Sequence, residues 1–478
     1  MTINLNLGNK RDDVLKSVIQ RIADAKRCVV VTGAGVSVNA GIPDFRSPSG
    51  LFAQVRKKHK GLFTSGRDLF DASLVFRSDE TVSAFNAFIT ELKAQCQQTQ
   101  PTLFHRWLAR MSQRGTLRRC YTQNIDGLEE KAGLFVLHPH ADNPVPSPTD
   151  LQQQQQRYSL SPPPSTHVQT IASRQMAMQC KVVPLHGDMR FLVCGLCRGL
   201  FPFETAARLR PSGGMVAGMP CPKCSLRSAK RVEDGHRPLL IGRLRPDIVL
   251  YNEPHPHQDL LAKIIAMDTP FIRTPSSASR APDVVLIAGT SLKVYGCKQL
   301  IRSLAKTVQQ VNALHSQRSA GGSLAKRSIV VVVNKEPVCT AAWADIIDYQ
   351  LIGDVDELCR RVERLWDRQQ KITKWMPQVK RWQGQQQQAK KFQDPASAIK
   401  HTKNSQSPTK QMAGNSATIA ASGKRRRGGC EDGNDGDNDA RYDRILPLLS
   451  TPQGYRRSKR LKTRREQARC SALFSVPC

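Results

Sequence analysis

The sequence is short of acidic side chains and of aromatic ones, and it has no long apolar run. Asp and Glu number 39 against 72 Lys and Arg, so the formal net charge is 72 − 39 = +33. That imbalance excludes an acidic, self-solvating chain and points to polyanionic surroundings such as chromatin, RNA or an anionic surface. No apolar run approaches the roughly 18 residues of a membrane-spanning helix, so no membrane partner is expected. Met1 to Asp13 carries no apolar core segment, and so no secretory leader is expected. The 14 cysteines therefore read as reduced thiols or metal ligands, not as disulfides. A collagen-like composition and internal repeats are also missing.

What is present is a chain of 478 residues, too long for one compact core. At about 150 residues per domain it allows about three units, or one large domain with disordered parts. Hydrophobic residues make up 39%, enough for a sizeable core but fewer than a wholly folded chain would show. The composition changes after Trp366. Residues 371–478 are rich in Gln, Lys, Arg, Ser and Gly, and hold 23 basic and 8 acidic residues, a surplus of 23 − 8 = +15. Such a segment cannot bury enough apolar surface to offset its ordering entropy, and a disordered tail is expected. A second low-complexity stretch, 139–173, contains Gln152 to Gln156 and Pro162 to Pro164. It reads as a surface insertion in the folded part. A smaller loop is expected at 316–326.

The ordered pieces alternate. Asp12 and Asp13 can cap a helix in which Val14, Leu15, Val18, Ile19 and Ile22 recur at helical spacing. Short β-branched runs follow at Val29 to Val31, Asp283 to Ile287 and Ile329 to Val333. Runs of this length suit strands buried on both faces of a parallel sheet. They end in Gly33-Ala34-Gly35, Gly289-Thr290-Ser291 and Asn334. In open α/β sheets ligands sit beyond the carboxyl ends of the strands, so these ends predict one shared crevice. Taken singly, each Gly or Asn reads equally as a strand terminator.

Four segments carry chemistry. Val31-Thr32-Gly33-Ala34-Gly35-Val36-Ser37 follows a strand and precedes an expected helix, where glycines and free N–H groups can receive a phosphate. Val38 stands where a dinucleotide fingerprint has its third Gly. The continuation Gly41-Ile42-Pro43-Asp44-Phe45-Arg46-Ser47 sets a rigid turn, a carboxylate, an aromatic ring and a guanidinium in one loop. Thr122-Gln123-Asn124-Ile125-Asp126-Gly127, after the strand-like Leu117 to Tyr121, could hold ribose hydroxyls or a carboxamide; it reads equally as an Asx-capped helix start. His186, after Val182 to Leu185 and before Gly187, is a candidate general base, although a lone His is more often structural. Cys194-x-x-Cys197, 23 residues, then Cys221-x-x-Cys224 has the spacing of a zinc ribbon, and four thiolates leave no open position, so the zinc is expected to be structural. Cys28, Cys96, Cys120, Cys180, Cys297, Cys339 and Cys359 lack this spacing and read as packing residues.

In this order, the motifs resemble the sirtuin family of NAD-dependent protein deacylases over residues 12–366. They are Gly33-Ala34-Gly35, Gly41 to Arg46, Gln123-Asn124-Ile125-Asp126, His186-Gly187, the two Cys pairs, Gly289-Thr290-Ser291, Asn334-Lys335-Glu336-Pro337 and Gly353-Asp354-Val355. Gly50-Leu51-Phe52, Asp68-Leu69-Phe70-Asp71 and Leu244 to Glu253 resemble more closely the fungal nuclear branch acting on acetylated histone cores. The resemblance implies an α/β fold: a Rossmann-like parallel sheet with helices on both faces, a zinc module at 190–236, and NAD and acetyl-lysine meeting in the cleft between them. It assigns NAD contacts to Gly33, Ala34, Gly35, Ser37, Asp44, Phe45, Arg46, Gln123, Asn124, Ile125, Asp126, Gly289, Thr290, Ser291, Asn334, Lys335, Glu336 and Val355. Val249, Leu250 and Tyr251 would meet the acetyl-lysine substrate, and His186 and Asn124 would be catalytic. In the implied reaction the acetyl oxygen attacks the nicotinamide ribose, nicotinamide leaves, and His186 deprotonates a ribose hydroxyl. The products would be free lysine, nicotinamide and O-acetyl-ADP-ribose.

Three departures from the family pattern stand out: the long insertion before His186, Asp188-Met189-Arg190 after it, and Asn252 where Gly is commoner. Asn tolerates unusual backbone angles, so substrate pairing can survive. The expected partners are acetylated histones, with chromatin or DNA phosphate met by Lys424 to Arg427 and Arg456 to Lys462, and the expected location is the nucleus. Aromatics are sparse between those charges, so binding there should be sequence-blind; a merely solvated charge run is the plainer reading. Two other functions fit the same residues: a chromatin-binding scaffold with little catalysis, and an ADP-ribosyltransferase or deacylase of different acyl preference.

Overall fold

The computed structural model describes residues 2–43, 57, 61–137, 179–204, 219–318 and 327–370. Asp44, Phe45, Arg46, Gly50-Leu51-Phe52, the 139–173 insertion and the basic tail lie outside the described residues, as do 319–326; the start of the loop expected at 316–326 is instead the last turn of the helix Tyr295–Arg318. The chain divides into two compact units; the first holds everything described up to Arg364, and only 365–370 of the second are described.

The strands follow from their composition. β2 (Cys28–Thr32), β8 (Val284–Ala288) and β9 (Ile329–Asn334) are runs of Val, Ile and Leu with almost every residue buried. A strand can be apolar on both faces only if both are covered, and each such side chain stabilises the fold by about 1.5–3 kcal/mol. With β1 (Ile3–Asn6), β3 (Leu117–Thr122), β4 (Val182–Pro184) and β10 (Tyr349–Ile352) they form a seven-stranded sheet, ordered β1-β10-β9-β8-β2-β3-β4. All its pairings are parallel. The chain adds strands outward from β2 through β3 to β4, then returns to β8 on the other side of β2. The order therefore reverses between β2 and β8, which is where an open sheet leaves a crevice at its carboxyl edge.

Asp12 caps the first helix, Asp13–Ala23, with its side chain accepting from Leu15 N at 3.0 Å. Leu15, Val18, Ile19 and Ile22 are buried as the periodicity predicts, but Val14 is 46% exposed. Val14 is in the first turn, one residue off the buried stripe.

β4 leads through Leu185 and His186 directly into β5 (Gly187–Cys194), the centre of a second, antiparallel sheet ordered β6-β5-β7, with β6 at Leu200–Pro202 and β7 at Leu244–Ile248. Gly187 makes this passage possible. Its φ is +72°, and a Cβ there would lie 2.1 Å from the Asp247 carbonyl oxygen. No side chain fits at that junction.

Candidate active site

The carboxyl ends of β2, β3 and β8 converge. After β2 the chain does not enter the α-helix expected from the sequence: Ala34–Val36 and Val38–Ala40 are 3₁₀ turns. The reason is a close approach. Gly33 N donates to Ala288 O at 3.0 Å and Gly35 N to Gly289 O at 2.8 Å. A Cβ on Gly33 would lie 2.8 Å from Thr290 Cβ, and one on Gly35 would lie 2.7 Å from Gly289 Cα. These glycines thus let two loops touch, which is a structural demand apart from any approach to phosphate.

β3 delivers the polar centre. Gln123 Nε2 donates to Thr32 O and to Thr290 Oγ1, both at 3.0 Å, tying the ends of β2, β3 and β8 together. Asn124 is buried; its Nδ2 donates to Gly33 O at 3.3 Å and to Ser37 Oγ at 3.2 Å. Its Oδ1 is buried and has no partner among the described residues. An acceptor in that state is an incomplete site, one that a ligand donor would complete. Ser37 Oγ donates to Asp126 Oδ2 at 2.7 Å, while Asp126 Oδ1 accepts from Leu128 N at 3.0 Å. One carboxylate oxygen thus makes an Asx turn before the short helix Leu128–Lys131, whose N-cap is Gly127 without a side-chain cap bond, and the other faces Ser37.

His186 stands beside this centre. Its Nδ1 lies 3.0 Å from the Gln123 carbonyl, and its own carbonyl accepts from Val249 N at 2.9 Å. A carbonyl can only accept, so Nδ1 carries the proton and Nε2 is the bare, basic nitrogen. Burial lowers the imidazole pKa, against the opposing pull of the Gln123 carbonyl. The ring is then neutral at neutral pH and able to take a proton at Nε2.

The remaining expected residues divide by place. Ile125 and Val355 are buried, Thr290 is buried with its hydroxyl on Gln123, and Ser291, Lys335 and Glu336 are exposed. Asn334 Nδ2 donates to Glu336 O at 3.1 Å. Val249, Leu250 and Tyr251 follow β7. Val249 N is taken by His186, Leu250 N donates to Glu253 Oε1 at 2.6 Å, and Tyr251 N donates to Phe70 O at 2.6 Å. Asn252 has φ +63° and donates from Nδ2 to Asp71 Oδ2 at 2.7 Å. It occupies the left-handed region that its side chain tolerates and is pinned there. Asp188-Met189-Arg190 opens β5: Met189 is buried, and Arg190 pairs with Asp188 and Glu130.

Several residues near the site were not foreseen. His105 and Glu129 are buried behind Asp126, with their donor and acceptor atoms and those of Asp126 all within 4.8 Å of one another. Burial, reinforced by the Asp126 charge, pushes the Glu129 carboxyl up to about 8, and burial lowers the His105 imidazole. Thr102-x-x-His105 caps the helix Leu103–Gln113, and that capping pattern was the available sequence signal. Asn39 Nδ2 donates to both Asp354 and Asp356, at 3.0 Å to the nearest oxygen of each, and so joins the β2 and β10 loops.

The four spaced cysteines meet. Cys194 closes β5, Cys221 caps the helix Pro222–Glu233, and Cys224 lies in its first turn. Cys197 Sγ is 3.6 Å from Cys221 Sγ and Cys194 Sγ is 3.9 Å from Cys224 Sγ, with all four ligand atoms within 4.8 Å. Tetrahedral Zn–S bonds of ~2.3 Å require sulfurs about 3.8 Å apart, so the set fits one zinc with a closed shell.

A doubly covered parallel sheet with its polar centre at the switch point is a Rossmann-like dinucleotide-binding architecture, here joined to a four-cysteine module. Residues 33–143 match the Sir2 family. The chain is 35% identical over 72% of its length to the NAD-dependent histone deacetylase HST3 of Saccharomyces cerevisiae, and 33% identical over 73% to HST3 of Candida albicans. It is 33% identical over 71% of its length to the NAD-dependent histone deacetylase HST4 of S. cerevisiae, of which it spans 75%. It spans 66% and 61% of the two HST3 relatives, about two thirds of their length or less. The chain belongs to the Sir2 family.

Proposed function

We propose that the chain is an NAD-dependent protein-lysine deacetylase whose substrates are acetylated histones, and that residues 12–366 form its catalytic domain. The observation that carries the reading is the pairing of His186 Nδ1 with the Gln123 carbonyl at 3.0 Å, beside the unsatisfied Asn124 Oδ1. It sets a neutral base against the same post-β3 segment that carries a buried acceptor without a partner among the described residues. The names of the fungal relatives support the same reaction class and a nuclear setting.

Bound NAD would supply a ribose carbon that accepts the acetyl oxygen as nicotinamide departs. Gly33, Ala34 and Gly35 would border the phosphates and Ser37 and Asp126 the ribose, with the Gly33 and Gly35 N–H groups held by Ala288 O and Gly289 O. Asn124 Oδ1 would accept from a ribose hydroxyl or the carboxamide. Asn334 and Val355 would meet the adenosine half, carried over, like Asp44, Phe45 and Arg46, from the family pattern. His186 Nε2 takes the proton of a ribose hydroxyl, while its Nδ1–H stays on the Gln123 carbonyl. Orientation of two substrates in one crevice supplies much of the rate.

The test is mass spectrometry of purified protein with an acetylated core-histone peptide, with and without NAD. NAD-dependent O-acetyl-ADP-ribose, lost in His186→Tyr, is expected. Undiminished turnover in that variant would refute the assigned base, and no product with any acyl peptide would favour a scaffold role. The basic tail is read as a sequence-blind binder of DNA phosphate. Deleting 371–478 should weaken DNA affinity at low salt while leaving peptide deacetylation intact.

A further inference from the structure

Resting on the deacetylase reading above, we propose that Asn39 is a positioning residue for NAD: its amide clamps the loop after β2 to the loop after β10 and so sets the spacing between the two halves of the dinucleotide site. Asn39 lies in the 3₁₀ turn Val38–Ala40, two residues beyond Ser37. At three residues per turn, positions two apart point about 240° apart, so the two side chains leave the loop in different directions. Ser37 turns to Asp126, just beyond β3. Asn39 turns to Asp354 and Asp356, just beyond β10, on either side of Val355.

Every polar atom of the Asn39 side chain is used. Nδ2 carries two N–H groups. It lies 3.0 Å from Asp354 Oδ1, 3.1 Å from Asp354 Oδ2 and 3.0 Å from Asp356 Oδ2, and Asn39 Oδ1 accepts from Lys335 Nζ at 3.4 Å. The two carboxylates are themselves held. Asp356 Oδ1 accepts from Phe104 N at 3.0 Å, Asp354 Oδ1 accepts from Asp356 N at 2.8 Å, and Gly353 N donates to Asn334 O at 2.8 Å at the end of β9. Thr102 Oγ1, just before Phe104, donates to Val36 O at 3.2 Å. A ring of contacts results. The β2 loop meets the start of the helix Leu103–Gln113 through Val36, that helix start meets the β10 loop through Asp356, and Asn39 closes the β10 loop back on the β2 loop. Two neighbouring carboxylates repel each other; a neutral amide with two donors, with Lys335 Nζ 4.0 Å from Asp354, can hold both. Asp356 is buried and Asn39 is exposed, so replacing Asn39 opens the ring without leaving a cavity.

With the clamp released the two loops are free to part, and NAD must restore their spacing as it binds. That lowers affinity without changing the bound arrangement at His186. Full-length wild type, Asn39→Ala, Asn39→Asp and Asn39→Gln would be compared in steady-state deacetylation of an acetyl-lysine peptide, in calorimetric binding of ADP-ribose, and in thermal melting. In Asn39→Ala the KM for NAD and the Kd of ADP-ribose should both rise about 5- to 20-fold, the lower end of ordinary coupling between sites, while kcat stays within about twofold. Asn39→Asp sets a third carboxylate against the other two and should bind more weakly still. Asn39→Gln keeps the amide on a longer, exposed arm and should recover most of the loss. An unchanged KM, a fall in kcat without a rise in KM, an Asp variant no worse than Ala, or a Gln variant no better than Ala would each overturn the proposal. So would melting of Asn39→Ala below assay temperature, which would make the clamp a folding contact. A wild type that binds ADP-ribose but gives no product with any acyl peptide would overturn the deacetylase reading alone, and the ADP-ribose affinities of the variants would still decide on Asn39.

Discussion

Gly187→Ala is the most demanding test of how the two sheets join. Gly187 and Gly127 have the same φ, +72°, yet a Cβ on Gly127 meets nothing within 4 Å and one on Gly187 meets Asp247 O at 2.1 Å. Alanine at Gly127 should cost only the left-handed conformation, about 1–2 kcal/mol. At Gly187 the same cost applies, and the backbones must also part by about 1.3 Å to reach the 3.4 Å of ordinary contact, since 3.4 − 2.1 = 1.3. That shift pulls on the 2.9 Å bond from Val249 N to His186 O. Relieving an overpacked contact costs about 1–3 kcal/mol and a lost buried hydrogen bond about 1 kcal/mol more. The expected total is roughly 3–6 kcal/mol, at least ~2 kcal/mol beyond Gly127→Ala. Urea titrations of both variants beside wild type, followed by tryptophan fluorescence, read this difference directly. Coincident midpoints for the two variants would refute the reasoning, because the shared φ leaves the clash as the only difference.

Three further outcomes are expected. Asp268 is fully buried and accepts from Arg118 Nε at 2.7 Å, Arg119 Nε at 2.9 Å and Tyr121 OH at 2.7 Å, so Asp268→Ala strands a buried guanidinium and should cost about 3–5 kcal/mol in chemical denaturation; a loss under ~1 kcal/mol would contradict it. The Glu129 carboxyl is raised from 4.5 to about 8, so it binds a proton more readily folded than unfolded, and its contribution is fully present below pH 4.5 and lost as pH rises through 8. Glu129→Gln should therefore gain stability relative to wild type between those limits, and parallel stability–pH curves would count against it. Cys221→Ser should lower zinc from one ion per chain to a small fraction, measured by elemental analysis, and should unfold the small module with loss of activity; retained activity in metal-free protein would argue against a structural zinc.

The sequence by itself determined the parts whose physics is local. Val29 to Val31 and Ile329 to Val333 are apolar at every position, which only a doubly covered strand accommodates, and they are central strands of the parallel sheet. Cys194, Cys197, Cys221 and Cys224 announced a metal set by spacing, because a chelating pair needs only one tight turn. Aspartate and periodic apolar residues marked the first helix. Tertiary structure decided what depends on neighbours distant along the chain. Gly33 and Gly35 looked like phosphate-loop glycines followed by a helix, but their packing on Gly289, some 250 residues away, makes 3₁₀ turns instead. Gln123 looked like a ligand donor, and its Nε2 ties Thr32 to Thr290. Nothing local distinguishes Glu129 from a surface residue, since its burial is set by which elements close over it. The tautomer of His186 was out of reach for the same reason: it follows from a carbonyl 63 residues away, brought alongside only when β4 pairs with β3.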